Sequence, residues 1–178
     1  MDKFTIKSQE AVQHAQRLAE RKGHQQIDTE HLLWSLLDEE EGVASQIIKK
    51  IGINSGLLKK DIEEALDRMP KVISATPIGQ IYITPKLKEV FETAQKESER
   101  LKDEYVSVEH LLAAILSVKC PSSEILKKYG VDSAKVLGAM REIRGTQRVT
   151  DQNPEEKYQA LKKFSKNLKK TKYLSNIH

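Results

Sequence analysis

The chain has 178 residues, enough for one packed domain and a short additional segment, and no run of about 18 apolar residues predicts a membrane-spanning helix. The net charge of +4 is unevenly placed. Residues 145–178 hold eight Lys and Arg against three Asp and Glu, a net of +5, whereas residues 1–144 hold 22 against 23, a net of −1. A neutral body with few aromatic residues argues against nucleic-acid binding.

The start of the chain and its single cysteine both favour a cytoplasmic protein. Met1, Asp2 and Lys3 lead directly into patterned sequence, without the charged and then apolar segment of a signal peptide. Cys120 has no second cysteine in the chain with which to form a disulfide, which suits a reducing compartment. We therefore expect a cytoplasmic location.

The sequence repeats itself. The segment "FTIKSQEAVQHAQ" from Phe4 is similar to "ITPKLKEVFETAQ" from Ile83, which lies 79 residues later. The segment "DTEHLLWSLL" from Asp28 is similar to "SVEHLLAAIL" from Ser107 at the same separation of 79 residues. Two such matches at one spacing indicate a duplicated structural unit.

A third matching pair defines the extent of the unit. The segment "SQIIKKIGINSG" from Ser45 is similar to "SEILKKYGVDSA" from Ser123, at a separation of 78 residues. The second copy has therefore lost one residue in the connection that follows its second helix. We predict one repeat over about 1–69 and another over about 83–144, joined by a non-helical segment at 70–83 that is rich in Pro, Gly and β-branched residues.

The sequence of each repeat predicts four helices, because the same signals for helix ends occur in both. Thr5 and Thr84 are the expected N-caps of the first helix of each repeat, and Pro85 suits the first helical position. The expected N-caps of the second and fourth helices are Asp28, Ser107, Asn54 and Asp132, and the expected left-handed residues after the third are Gly52 and Gly130. The sequence thus predicts an all-α fold, a duplicated four-helix repeat with pseudo-twofold symmetry, followed by a polar basic tail.

Two Glu-His pairs resemble half of a metal site each. Glu30 and His31 in the first repeat, with Glu109 and His110 in the second, would supply two ligands from each half. However, adjacent positions on a helix point about 100° apart, and metal sites on helices use residues four apart. We interpret each Glu as a first-turn residue that favours the positive end of the helix dipole, and we predict no metal site.

The sequence also lacks a recognisable catalytic set. None of the eight glycines precedes a lysine, so the phosphate loop G-x-x-x-x-G-K-[ST] does not occur. Cys120 has no candidate base near it in the sequence, and we interpret it as an inert thiol. The chain is therefore not expected to be an enzyme by itself, and no cofactor is predicted.

Three features resemble the ClpB/Hsp104 disaggregase family. These are the paired "EHLL" words, the segments "KKIGIN" and "KKYGVD", and "RGTQRVTDQNPEEKYQALKKFSKNL" at residues 144–168. The repeats alone would suit any Clp N-terminal domain, including those of protease-linked unfoldases. The segment 144–168 is more specific, because it is similar to the linker that precedes the first AAA+ module of ClpB.

The sequence departs from the family after residue 168, where it continues only as "KKTKYLSNIH". ATP hydrolysis, which the AAA+ modules perform in the family, is therefore not expected of this polypeptide. The boundary of the repeat domain is predicted at residue 144. We expect residues 145–178 to be a linker detached from the repeats, either as a marginal helix over about 154–170 or as disordered chain.

The resemblance implies a binding module. In the family, the N-terminal domain engages unfolded or aggregated polypeptide and passes it to the AAA+ modules of the same chain. One alternative is a docking domain for an adaptor or co-chaperone, as on protease-linked Clp unfoldases. Another is a nucleic-acid-binding tail on a structural domain, which would require strongly salt-dependent binding. No membrane partner is expected.

The resemblance implies a polar substrate-binding set at Thr5, Asp103 and Glu109. Each of them also has a structural interpretation, as a helix cap, a polar loop residue and a first-turn acid respectively. For an apolar wall of the same site we predict the first helix of the second repeat, at Leu87, Val90 and Phe91. The alternative is that these three face the core, as the apolar stripe of a helix usually does.

Overall fold

The computed structural model describes residues 2–72, 81–145 and 147–158. In chain order its elements are α1 Ile6–Arg21, β1 Gln26–Ile27, α2 Thr29–Asp38, α3 Val43–Ile51, α4 Ser55–Asp67, β2 Tyr82–Ile83, α5 Pro85–Arg100, α6 Val108–Ser117, α7 Pro121–Lys128 and α8 Ser133–Arg144. Residues 154–158 are also helical. Most of the predicted joint, and the rest of the helix predicted over 154–170, lie outside the described residues.

The helix lengths confirm the duplication. The first helices, α1 and α5, have 16 residues each, and the second helices, α2 and α6, have 10 each. The connection from α2 to α3 spans residues 39–42, whereas that from α6 to α7 spans 118–120. The missing residue of the second repeat therefore lies in this connection, as predicted.

The predicted helix ends are also present. The Thr5 hydroxyl accepts a hydrogen bond from the Ser8 N–H at 3.2 Å, and the Thr84 hydroxyl accepts one from the Leu87 N–H at 3.2 Å. After α3, Gly52 adopts the left-handed conformation with φ of 92°. The helices begin at equivalent places in both repeats and end at equivalent places to within one residue.

The two repeats interlock through short parallel β pairings, which the all-α prediction did not include. Ile27 pairs with Ile83 between β1 and β2, and Phe4 pairs with Val106 in an isolated bridge. Adding 79 to the residue numbers turns Phe4 into Ile83 and Ile27 into Val106, so the two pairings are one interaction exchanged between the repeats. Each joins the start of one repeat to the loop before the second helix of the other.

The interlocked repeats share a single hydrophobic core. Leu32 and Leu111, which occupy equivalent positions in α2 and α6, are both fully buried in one cluster that also contains Leu58 and Val136. Burial of these apolar side chains is the main stabilising contribution to such a fold. Within the described residues, no helix combines the length and the apolar character needed to cross a membrane.

Residues 147–158, called the strap below, pack against the repeats. The Glu104 N–H donates to the Val149 carbonyl and the Ile6 N–H donates to the Gln152 carbonyl, both at 2.8 Å. Val149 and Tyr158 are buried. The expectation of a detached segment is therefore wrong for these residues, and the packed body extends past the predicted boundary at 144. The reason is tertiary: the strap's apolar side chains and carbonyls find partners on both repeats.

Candidate functional site

The structure brings the three predicted polar residues into one cluster. Thr5 caps α1, Asp103 lies in the loop between α5 and α6, and Glu109 lies in the first turn of α6. All three are buried. Arg144 joins two of them, because its guanidinium donates to Asp103 and lies 3.6 Å from a Glu109 oxygen. We call these residues, with His110 and Glu155, the polar cluster.

Asp103 is fully hydrogen-bonded in this cluster. It accepts from His110 Nε2 at 2.8 Å, from the Val149 N–H at 2.9 Å and from the Arg144 guanidinium. The Ser107 N–H donates to His110 Nδ1, so the ring proton is on Nε2, where it points to Asp103. Burial acts to raise the pKa of Asp103, but these hydrogen bonds outweigh it and the pKa is lowered. Asp103 is therefore a charged anchor beneath the strap.

Glu109 is buried without comparable support. Its side chain is 1% exposed, although its place in the first turn of α6 suggested a solvated acid. Among the described residues neither of its carboxylate oxygens has a hydrogen-bond partner. The Arg144 guanidinium at 3.6 Å supplies charge compensation without a hydrogen bond. The cluster thus contains a carboxylate whose hydrogen-bonding capacity is unused.

Glu155 brings a second carboxylate from the strap. Its Oε1 accepts from the Thr5 hydroxyl at 2.7 Å and from the Val108 N–H at 3.1 Å, whereas Oε2 has no partner among the described residues. Burial raises the pKa of Glu155 to about 7, and the nearby Glu109 carboxylate adds to the shift. The hydroxyl of Tyr158, which is buried beside these groups, also lacks a partner among the described residues.

The predicted apolar wall is mostly core. Leu87 and Val90 are 1% and 0% exposed, so neither reaches the surface of the described structure. Their stripe on α5 faces inward because it packs against α6. Phe91 is only partly buried, and its ring meets that of Phe4 edge to face at 5.7 Å. Only Phe91 of the three keeps a surface position, next to the start of α1.

An open groove of about 450 Å³ reaches the polar cluster. Its walls come from α1, α2 and the start of α3, with Ala11 and Leu36 among the apolar residues. Lys7 and Glu10 stand along α1, and Val108 and Glu155 also line the groove. Because these last two residues form the contact that closes over Thr5, the groove ends at the edge of the polar cluster, where Glu155 separates it from the buried members.

Residue patterns did not identify His110, Arg144 and Glu155 as members of the cluster. A histidine at the third helical position of both α2 and α6 was a usable signal, because that position serves the capping box. The same use explains the Glu-His pairs, since the Nδ1 atoms of His31 and His110 accept backbone N–H groups. Among the described residues, no three His, Cys, Asp or Glu side chains are grouped to hold a metal ion.

Comparison with known proteins gives the relatives of the chain. Residues 3–129 match the family described as the Clp repeat (R) N-terminal domain. Chaperone protein ClpB of Bacillus anthracis is 38% identical over 169 residues, which cover 94% of this chain and 20% of that protein. ClpB of Nitratidesulfovibrio vulgaris is 39% identical over 172 residues, with 93% and 20% coverage. The chain therefore spans about a fifth of the length of these relatives.

Solved structures have the same fold. The Hsp104 N-terminal domain from Candida albicans superposes with a TM-score of 0.74 at 22% identity, covering 85% of this chain and 98% of that domain. The N-domain of ClpV from Vibrio cholerae gives a TM-score of 0.67 at 18% identity, with 84% and 88% coverage. A complex of a ClpV N-domain with a VipB peptide gives 0.58 at 17% identity, with 78% and 89% coverage. The duplicated helices and the matched residues lead to one conclusion: the chain belongs to the Clp repeat (R) N-terminal domain family, and over nearly its whole length it is similar to ClpB chaperones.

Proposed function

We propose that this domain binds unfolded or aggregated polypeptide and takes no part in chemistry itself. The observation that carries the proposal is the open groove along α1, which ends at Glu155, the strap residue that covers the buried Thr5 hydroxyl. An extended segment fits such a groove without strict sequence requirements, because the lining mixes apolar, acidic and basic side chains. Similarity to ClpB chaperones over nearly the whole chain supports this function.

The proposed site has an open part and a closed part. The open part is the groove, with Phe91 and the exposed Ile6 as the nearest apolar surface at the start of α1. The closed part is the polar cluster, which the strap covers. In a longer chain, we propose that the domain would pass its client to AAA+ modules in the cytoplasm. Weak binding with fast release suits that task.

Binding to a permanently unfolded client tests the proposal. We expect the full chain to bind fluorescently labelled, reduced and carboxymethylated α-lactalbumin with a Kd on the order of 10 μM to 1 mM. The native, disulfide-bonded form of the same protein should not compete. Absence of binding at 1 mM, or equal competition by the native form, would contradict the proposed function.

A pair of matched variants tests the groove. Ala11→Arg places a long charged side chain on the groove floor and should weaken client binding at least fivefold. Ala134→Arg makes the same change at an exposed position on α8 and should bind as the parent does. Circular dichroism melts establish that both variants are folded. If Ala11→Arg does not fold, Glu10→Trp serves as the second groove variant, because it places a bulky ring at the groove rim from an exposed position. Unchanged binding by a folded groove variant would place the site elsewhere.

A second candidate function is the docking of one particular partner peptide. The observation that favours it is the ClpV N-domain of the same fold, which was solved with a VipB peptide. The two functions differ in sequence dependence. Two peptides of equal composition, one with scrambled order, should bind this domain equally if it receives unfolded clients. A large preference for one order would favour adaptor docking.

A further inference from the structure

In each repeat a carboxylate accepts hydrogen bonds at the N-terminus of the second helix. In the first repeat it belongs to the repeat itself, whereas in the second it comes from the strap. In the first repeat, Asp28 caps α2, and its Oδ1 accepts from the Thr29 N–H at 2.7 Å. The same oxygen accepts from the hydroxyl of Thr84, the N-cap of α5, at 2.9 Å. One carboxylate thus joins the start of the second helix of its own repeat to the start of the first helix of the other.

The second repeat has no such carboxylate of its own. The residue equivalent to Asp28 is Ser107, whose hydroxyl lies 2.9 Å from His110 Nδ1. The two equivalent donors, the Val108 N–H and the Thr5 hydroxyl, both donate to Glu155 Oε1. The slot between the N-termini of α6 and α1 is therefore a carboxylate site, and the chain fills it from the strap. Both donors are buried, so each loses its hydrogen bond when Glu155 leaves unless another acceptor takes its place.

The strap closes over more than this slot. Its backbone bonds to Ile6 and Glu104, and its Val149 N–H bonds to Asp103. With these contacts in place, Thr5, Asp103 and Glu109 are buried, so that a client cannot touch them. The strap is the element that separates the open groove from the polar cluster.

The closed state leaves several buried polar groups without partners. Among the described residues these include both Glu109 oxygens, Glu155 Oε2 and the Tyr158 hydroxyl. Each loses hydration on closure without gaining a hydrogen bond, which opposes the favourable contacts. Three carboxylates, those of Asp103, Glu109 and Glu155, also share one buried region of the described structure with the Arg144 guanidinium. The hydrogen bonds and apolar contacts of the strap are thus opposed by the cost of these unpartnered groups. Such a balance is expected of a segment that opens.

We infer that residues 147–158 are a releasable strap, and that the slot which Glu155 vacates binds an acidic side chain of a client polypeptide. This inference rests on the proposed function for its ligand and deepens it. The strap competes in cis with the client, so the affinity of the full chain for clients is lower than that of its open form. The donors that hold Glu155 then hold the client's carboxylate, and Glu109 and Asp103 become accessible.

Amide exchange measures strap release without any client. Glu155→Lys removes the acceptor of two hydrogen bonds and puts a cation against the positive ends of two helix dipoles, so it should speed hydrogen–deuterium exchange at the Ile6 and Glu104 amides at least tenfold. Both amides donate to strap carbonyls in the parent. Glu156→Lys makes the same charge change at the adjacent exposed residue and should leave both rates unchanged. Unchanged rates at both amides in Glu155→Lys would overturn the release mechanism.

Client affinity tests the slot. A variant opened without reversing the charge, Glu155→Ala, should bind carboxymethylated α-lactalbumin at least threefold more tightly than the parent and than Glu156→Ala. Of two unstructured peptides that differ only by Glu or Gln at the centre, Glu155→Ala should prefer the Glu peptide at least threefold. Faster exchange with no gain in affinity, or no preference between the peptides, would overturn the ligand assignment. If the parent binds client but Glu155→Ala shows neither tighter binding nor the peptide preference, the proposed function stands and only this inference fails.

Discussion

The hydroxyl of Thr5 donates to a Glu155 oxygen at 2.7 Å, although 150 positions separate the two residues. This contact places the start of the first helix and the segment after the last helix in one site. It also makes the N-cap of α1 part of a buried network, since the same hydroxyl accepts the Ser8 N–H. The polar residues implied by family resemblance therefore support the fold and lie at the proposed site at once.

The pH dependence of stability should report the buried carboxyl of Glu155. Its pKa of about 7 in the folded chain exceeds the ordinary value of 4.5, so the folded state binds more protons between these limits. The stabilisation is full below about pH 4.5 and is lost as the pH rises through 7. Glu155→Gln keeps both hydrogen bonds without titrating. We expect the free energy of unfolding to fall less between pH 5 and 8 in this variant, by about 1–3 kcal/mol.

Urea denaturation at several pH values checks this expectation, with Glu156→Gln as the exposed control. His31 contributes in the opposite direction, because burial lowers its pKa to about 4 and its stabilisation is lost as the pH falls. That contribution is common to all three proteins and cancels in the comparison. Parallel curves for Glu155→Gln and the parent would show that this carboxyl does not titrate with a raised pKa.

Equivalent turns in the two repeats predict that introducing a glycine in one and removing a glycine from the other change the free energy of unfolding in opposite directions. Gly23 has φ of 72°, and Lys102, at the equivalent position, has φ of 59°. A non-glycine residue is strained in this conformation by roughly 1 kcal/mol. Lys102→Gly should therefore raise the free energy of unfolding by up to about 1 kcal/mol. Gly23→Ala should lower it by about 1 kcal/mol.

The test is a pair of urea melts. A Cβ at Gly23 would meet no atom closer than 3.7 Å, so its cost is a backbone effect without a steric clash. The Lys102 side chain is exposed, and its loss removes little packing. Destabilisation of the chain by Lys102→Gly would contradict the expected relief of strain.

Truncations on α5 should separate core from surface. Leu87→Ala removes a fully buried side chain and should lower the free energy of unfolding by about 2–5 kcal/mol. Its affinity for an unfolded client, corrected for the folded fraction, should equal that of the parent. Phe91→Ser should weaken client binding at least twofold in the folded protein, because this ring is only partly buried. Weaker client binding by Leu87→Ala together with unchanged binding by Phe91→Ser would show that Leu87, and not Phe91, lines the binding site.

Removing Arg144 should be far more costly than removing its neighbour Arg141. Arg144→Met leaves Asp103 and Glu109 buried without their cation, and loss of one partner from a buried ion pair costs about 3–5 kcal/mol. Arg141→Met on the same helix changes an exposed side chain and should cost less than about 0.5 kcal/mol. Thermal and urea melts of both variants decide this. Similar losses of stability in the two variants would mean that Arg144 does not stabilise the fold through the buried carboxylates.

The sequence by itself determined the duplicated helices. Caps such as Thr5 and Thr84, and the left-handed Gly52, act within a few residues of their own position, so a local pattern is sufficient to predict them. The one-residue difference between the repeats was visible for the same reason. Family resemblance added Thr5, Asp103 and Glu109, which local patterns explained only as a cap, a loop residue and a first-turn acid.

Only the tertiary structure decided what those residues face. Leu87, Val90 and Phe91 share one apolar stripe in the sequence, and packing against α6 and Phe4 is what separates the buried pair from the partly exposed ring. Likewise, Glu109 and Glu155 both look like solvated acids in the sequence. Their burial follows from chain segments 47 or more residues apart meeting at two helix N-termini, where Ser107 stands in place of a second Asp28. Such contacts depend on the path of the whole chain, which no short segment contains.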